Sequence, residues 1–403
     1  MIDLHLHLDG ALSLDSVREL ADMQHIAVPE DDAELLRLMR VGPDCRNLDE
    51  FLEKFAFPCS LLQTKAGLTR AVSTLCAELK SQGLVYAEIR FAPAKSCEKG
   101  MSQEDAVLAA LDGLREAGAL YCPDVPAAEC SDVPAAECSG VPAVECSGIP
   151  AAECSGVPAA ECSNVPAAEC SGIPAAECSG AGQCPTVETA AAGKSFAANL
   201  ILCCMRGASE LENTETVRLA HKYLGQGVCA ADLAGAEALF PNGDYAEVFA
   251  LARRLGVPFE IHAGEADGPS SVWSALELGA ARIGHGVRGA EDPLLLKQLS
   301  DNQVPLMLCP TSNVQTCVFA DVADMPVRAL MDAGVKITIN TDDPSIEGTD
   351  LRSEWKKIIN AFRLTPGEVE GIMLNCVDAS FASAELKAAL RSKVSAGFRD
   401  FLG

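Results

Sequence analysis

Ile2-Asp3-Leu4-His5-Leu6-His7-Leu8-Asp9-Gly10 is the stretch whose reading decides how the remaining sequence is understood. In a β-strand successive side chains point to opposite faces, so strict alternation sets Asp3, His5, His7 and Asp9 on one face and Ile2, Leu4, Leu6 and Leu8 on the other. One face is apolar and suits a core; the other is a row of ligands. Two neutral imidazoles one strand repeat apart converge on a common point, as a divalent transition metal requires, and Asp9-Gly10 is a turn that ends the strand there. Taken alone, His-x-His serves equally as a polar edge strand with two solvated histidines. The rest of the sequence separates the two readings.

The chain has 403 residues, 49% hydrophobic and 22% charged, enough to bury a sizeable core, and no run of eighteen apolar residues suggests a membrane span. The first residues already form the ligand-bearing strand, with no charged and apolar leader ahead of it, so a cytoplasmic location is expected. A formal charge of -26 with no basic cluster opposes a nucleic-acid backbone. The expected partner is therefore a small molecule, neither nucleic acid nor membrane, and the oligomeric state stays open. Nineteen cysteines in a long chain without a Cys-x-x-Cys pair are expected to be thiols.

From Val125 an eight-residue unit starts seven times and ends at Gly180: Val or Ile, then Pro-Ala-Ala-Glu-Cys-Ser and a Gly, Asn or Asp, with Val144 the internal departure. One branched aliphatic per unit offers too little apolar surface to offset the entropy of ordering the chain. The region 123–194 is thus expected to be a disordered insertion between a first barrel segment, 1–122, and its remainder, 195–403. A solenoid of short turns is the rival reading.

Outside that tract, short β-branched runs at 2–7, 84–91, 199–205, 228–233, 258–262, 281–285, 304–309 and 335–341 alternate with helix-period segments at 103–117, 214–223, 245–255, 271–278, 294–299 and 325–333. Eight strand-helix alternations are the signature of a closed parallel (β/α)8 TIM barrel, an α/β fold with its chemistry at the carboxyl ends of the strands. Ser13 to Lys80 reads as several helices covering the barrel mouth, and the segment after Asp350 as helices packed outside.

Each further polar signal ends one of these strands: His262-Ala263-Gly264-Glu265 the fifth, Gly284-His285-Gly286 the sixth, Thr341-Asp342-Asp343-Pro344 the eighth. His5, His7, His262 and Asp342 would share one rim, three imidazoles and a carboxylate, which suits one zinc with a position left for water. Zinc lowers the pKa of such a water from ~15.7 toward ~7. Glu265, beyond a Gly turn, is placed to give or take a proton beside the metal, and His285 and Asp343 to orient and deprotonate the water. The two other histidines, His25 and His221, fall in helical regions and read as surface residues.

The sequence resembles the adenosine deaminase family of zinc amidohydrolases. The resemblance is carried in order by His5-Leu-His7-Leu-Asp9-Gly10-Ala11, Phe51-Leu-Glu-Lys-Phe55, Ala87-Glu-Ile-Arg90-Phe91, Leu202-Cys-Cys-Met205-Arg206, Asp232-Leu-Ala-Gly235-Ala-Glu237, His262-Ala-Gly-Glu265, Ile283-Gly-His285-Gly286, Ser312-Asn313 and Thr341-Asp342-Asp343-Pro344. It implies hydrolytic deamination of adenosine and 2'-deoxyadenosine in purine salvage, with zinc held by His5, His7, His262 and Asp342. Glu265 would protonate the purine ring nitrogen beside the attacked carbon, and His285 and Asp343 would act on the water. His7, Asp9, Gly235 and Asp343 would contact the nucleoside, Asp9 at the ribose and Gly235 through its backbone N–H. Within the same chemistry the substrate could be adenine or a modified or phosphorylated adenosine, although the family's adenine-specific members carry Glu where this chain has Asp9. A different class of reading makes the barrel inert and the Cys-rich repeat a binding or scaffold element.

Overall fold

The computed structural model describes residues 1–42, 44–121 and 196–402, with side chains through residue 396. Met1–Asp124 and Ala191–Gly403 belong to one compact unit. The expected insertion at 123–194, its repeat and the solenoid alternative lie outside the described residues.

All eight expected strands are present in order: β1 Ile2–His7, β2 Tyr86–Phe91, β3 Ala197–Met205, β4 Val228–Ala234, β5 Glu260–Ala263, β6 Arg282–His285, β7 Leu306–Leu308 and β8 Ile337–Ile339. They pair in parallel as two four-stranded sheets, β1 to β4 and β5 to β8. Parallel bridges between Ala231 and Phe259 and between Leu6 and Asp342 join the sheets at both edges, so the strands form a ring. β7 and β8 are shorter than the expected 304–309 and 335–341. At the carboxyl end of β8 the chain leaves the ladder to turn toward the ring's interior, with Asp342 at φ 66.

Helices alternate with the strands. Before β2 come α1 Leu14–Met23, α2 Asp32–Met39, α3 Leu48–Leu52, α4 Ala56–Leu61 and α5 Lys65–Ser81, the run expected over the mouth. After β2 to β8 follow α6 Gln103–Glu116, α7 Glu210–Lys222, α8 Ala246–Leu255, α9 Pro269–Leu278, α10 Pro293–Asp301, α11 Pro310–Gln315, α12 Val327–Asp332, α13 Pro344–Glu347, α14 Leu351–Phe362, α15 Pro366–Ala379 and α16 Ala384–Leu402. Their starts are written locally: capping boxes at Ser102 with Asp105, Ser209 with Glu212 and Thr365 with Glu368 satisfy N–H groups that the first turn leaves unpaired. Proline in the first turn of α9, α10 and α15 does the same by lacking one. No described helix is long and apolar enough to cross a membrane.

One layer of core lies between strands and helices, where Leu4, Leu6, Ile89, Leu200, Ile283 and Ile339 meet Val72, Leu111, Phe249 and Trp355, all buried. Inside the ring the chemistry changes. Glu88, Arg90, Asp232, Glu260 and Arg282 are each fully buried, where such barrels ordinarily stack branched aliphatics. The ten described cysteines are unpaired thiols.

The first strand departs from the strict alternation expected of it. Asp3 stands beside Ala87 of β2, but the next paired residue, Leu6, stands beside Ile89, so β1 holds one residue more than β2 over that interval. This β-bulge turns Asp3 to the face of Leu6, opposite His7. Asp3 accordingly binds the Thr341 hydroxyl at 2.6 Å and stays out of the ligand row in which the sequence placed it.

Candidate active site

A cavity of about 610 Å3 opens at the carboxyl ends of the strands, a size suited to a ligand of nucleoside dimensions. Of the nine expected site residues, His7, Asp9, Gly235, His262, Glu265, His285, Asp342 and Asp343 line it. His5 lies directly behind, fully buried. Phe51, Leu52 and Cys59 of α3 and α4 supply a wall from the covering helices. His25 and His221 are exposed, as expected; His25 sits in the turn just beyond α1 rather than in a helix.

His5 Nε2 lies 3.0 Å from His262 Nε2 and 3.3 Å from Asp342 Oδ1, and His7 Nε2 lies 3.3 Å from each of the same two atoms. The far nitrogens of two of these rings face carboxylates. His5 Nδ1 donates to Glu260 Oε1 at 2.6 Å, and His262 Nδ1 to Asp232 Oδ2 at 3.1 Å. With the proton on Nδ1, both Nε2 atoms present lone pairs, and two acceptors 3.0 Å apart repel unless a cation lies between them. The four separations of 3.0 to 3.3 Å among these ligand atoms are also close to the edge length of a tetrahedron around an ion with ligands ~2.0–2.1 Å away. These four atoms therefore fit a metal, completed by the outer carboxylates that orient imidazole ligands. Burial alone would raise Glu260; Arg90, Arg282 and His5 more than offset that and hold it well below the usual carboxylate range, an anion under the metal site.

Two turns aim side chains at this point through left-handed backbone that branched or bulky residues avoid. His285 sits at φ 57 and Asp342 at φ 66, conformations that cost on the order of 1–3 kcal/mol and cluster at functional sites. Space is kept by two glycines. A Cβ on Gly284 would stand 2.8 Å from the His5 ring, and one on Gly10 would stand 1.8 Å from Asp343 Oδ1.

Glu265 is held by a loop that Glu237 organises: its carboxylate accepts the successive N–H groups of Gly264, Glu265, Ala266 and Asp267 at 2.6, 3.0, 2.7 and 3.1 Å. Burial, with the charges of Asp342 and Glu237 adding to it, raises Glu265 to about 8, so it carries a proton at neutral pH. Its Oε2 lies 3.5 Å from His285 Nε2. Burial pushes His285 down to about 3, leaving a neutral imidazole. The Asn313 amide is 3.1 Å from His285 Nδ1, and Asn313 Oδ1 is otherwise buried without a partner. The amide orientation in which Oδ1 accepts from Nδ1–H satisfies both groups and leaves Nε2 as a base facing the cavity. Asp343 and Asp9 each keep a buried Oδ1 without a partner at the cavity wall, ready acceptors for a bound molecule.

Sequence reasoning named the residues that touch the cavity and missed most of those that hold them. Glu260 carried a signal, since a charged residue inside an apolar strand two positions before the ligand His262 shares its face, and Asp232 carried a weaker one as a lone charge inside an apolar strand. Glu237, Asn313 and Arg206 carried none beyond lying in the matched motifs. Arg206 donates to His262 O at 2.6 Å and to Asn242 Oδ1 at 2.7 Å, tying the end of β5 to the neighbouring loop.

A family profile described as adenosine deaminase matches residues 1–122 and 171–397. The adenosine deaminase of Haemophilus ducreyi is 39% identical over 399 residues, covering 98% of this chain and 95% of that protein. Among solved structures, an adenine deaminase from Arthrobacter aurescens superposes with a TM-score of 0.73 at 22% identity, over 99% of this chain and 98% of that one. An amidohydrolase from Burkholderia ambifaria, crystallised with bound Zn, gives 0.71 at 19% identity over 100% and 91% of the two chains. At these identities the structural likenesses establish the α/β fold with parallel sheets of the TIM-barrel family.

Proposed function

This chain belongs to the adenosine deaminase family of the amidohydrolase superfamily, and on that footing we propose that it hydrolyses adenosine, and 2'-deoxyadenosine, to the inosine counterpart and ammonia. The observation that carries the reading is the meeting of the His5, His7 and His262 Nε2 atoms with Asp342 Oδ1 at one point, two of the rings turned by carboxylates so that only a cation satisfies them. One zinc per chain is the ion proposed for those four ligands, supported by the donor set and by the Zn bound in the Burkholderia amidohydrolase. Bound there, it supplies Lewis acidity that makes water a nucleophile at neutral pH.

The chain's own groups supply the proton traffic. Displacing ammonia from an aromatic carbon needs attack on one face and a proton at the adjacent ring nitrogen, so that negative charge does not accumulate there. Glu265, protonated at neutral pH, gives that proton. His285, neutral and held by Asn313, takes the proton of the attacking water through Nε2, and the unpartnered Asp343 Oδ1 orients that water and the far side of the base. His7 borders the base, the Gly235 N–H binds the purine, and Asp9 Oδ1 accepts a ribose hydroxyl. Asp9 favours a nucleoside over free adenine, although a related fold serves an adenine deaminase. Against a nucleotide, Lys95 and Arg206 are the Lys and Arg side chains that line the cavity among the described residues, Glu98 lines it as well, and Arg206 is spent on internal partners.

The test follows the ultraviolet change as adenosine becomes inosine, with and without a chelator, against adenine and AMP. Zinc analysis accompanies it. Turnover of adenosine that disappears with verified metal removal is expected; undiminished turnover without metal overturns the reading.

A further inference from the structure

The proposed chemistry leaves unused the buried charges deeper in the ring. Arg282 of β6 is fully buried; its guanidinium donates to Leu4 O at 3.1 Å, to Ala379 O at 3.1 Å and, through Nε, to Glu260 Oε2, and it stands in ion-pair contact with Glu88 Oε2 at 2.6 Å. Its flat face lies against the Phe381 ring, 4.1 Å from the centroid. Phe381 belongs to the connection between α15 and α16, and its backbone N–H donates to Glu88 Oε1 at 2.6 Å. Tyr86 donates its hydroxyl to the same oxygen at 3.0 Å and accepts from Asn199 at 2.9 Å.

Two of these contacts act on His5 from different sides. The bulge in β1 frees Leu4 O from the ladder, and Arg90 at 2.9 Å and Arg282 at 3.1 Å clamp it, which holds the backbone just before the ligand. The other route runs through Glu260, whose Oε1 accepts the His5 ring N–H and an Arg90 N–H while its Oε2 is taken by Arg282. The His5 main chain and ring thus depend on one planar group.

We propose that Arg282, braced by the Phe381 connection, is a positioning residue for His5 and governs how firmly the metal is held; this rests on the metal-site reading above. The chemistry requires a guanidinium, because a planar fork of five N–H groups reaches three acceptors and an ion partner at once, and an ammonium with its donors on one atom cannot. It also requires the seal. A buried cation is tolerated only where its partners are complete; the last residue of α15 supplies one carbonyl, and the connection after it supplies the ring face and the N–H that holds Glu88. A segment near the carboxyl terminus is thereby part of the support of a ligand at residue 5.

The test uses the full-length, zinc-loaded protein as wild type, Arg282→Lys, Phe381→Leu and Phe381→Tyr, and follows zinc release to an excess of chromogenic chelator. KM and the unfolding temperature of the metal-free forms are measured alongside. Arg282→Lys is expected to release zinc about 10–100-fold faster, in the range typical of losing a ligand's outer partner, with KM for adenosine nearly unchanged. Phe381→Leu should move release in the same direction by less, and Phe381→Tyr, which keeps the ring face, should return it to the wild-type rate. Should Arg282→Lys fail to fold, the two Phe381 variants decide. Wild-type release from the leucine variant, or equally fast release from leucine and tyrosine, overturns the proposal. Zinc release needs no substrate, so a zinc-loaded protein inactive on adenosine sinks the substrate reading alone, whereas a protein that binds no metal sinks both.

Discussion

The outer face of the eight strands carries Leu4, Leu6, Ile89, Leu200, Ile283 and Ile339 against the helices, while the inner face of the same strands carries Glu88, Arg90, Asp232, Glu260 and Arg282, equally buried. The outer layer gains by removing apolar surface from water, a non-directional term that tolerates many arrangements. The inner layer gains nothing from burial itself and persists only because each charge meets partners at hydrogen-bonding distance, as where Arg90 bridges Asp232 at 3.1 Å and Glu260 at 2.8 Å. One face supplies stability, the other a fixed geometry beneath the proposed metal ligands. Substitutions on the two faces should therefore fail in different ways, and that expectation can be broken.

The largest effect is expected at the top of the inner face. His262→Ala deletes one of three imidazoles and should leave a folded protein with neither bound metal nor measurable turnover, read by metal analysis and the inosine assay. Retained zinc and activity would show that the inner face does not end in a metal site. Glu265→Gln should come next: shape and zinc content persist, while kcat falls by a factor on the order of 100 or more because the amide has no proton of comparable acidity to give. Loss of zinc in that variant would make Glu265 a ligand and not an acid.

Phe249→Ala sharpens the contrast from the other side. Its ring packs 4.7 Å from that of Phe259 in the outer layer. Truncation should cost ~3–5 kcal/mol in denaturant unfolding while kcat and zinc per folded chain hold. Equal losses of stability and of zinc affinity would mean the two layers are coupled as one.

The smallest effect is expected for the repeat. The described chain leaves toward it from Leu120 and returns into β3, where Ala198 N–H donates to Ala119 O at 3.0 Å, so the flanks meet without it. In a (β/α) barrel a helix-to-strand connection lies on the side opposite the active site. Closing a longer loop costs only ~0.6 kcal/mol per doubling of length. Replacing residues 125–180 by a short Gly-Ser linker should leave zinc content unchanged and KM for adenosine within about twofold of wild type. Collapse of activity in a folded deletion variant would tie the repeat to the site.

What was legible in the sequence was whatever repeats over short distances. Alternation with period two and helical periodicity placed eight strands and six of the intervening helices, and strand-end polarity marked His5, His7, His262, Glu265, His285, Asp342 and Asp343. Each signal depends on local backbone geometry, which neighbouring residues dictate almost alone. The bulge in β1 was not legible, because the ladder positions of Asp3 and Leu6 are defined only against Ala87 and Ile89 of another strand. Nor were the pairing of His5 with Glu260, the four N–H groups gathered by Glu237, or Arg282 against Phe381. A lone buried charge in a sequence is an unpaid desolvation cost with no named partner. Only closing the ring brings residues from opposite ends of the chain within 3 Å and decides which charges meet, and with them which nitrogen of His5 faces His7, His262 and Asp342.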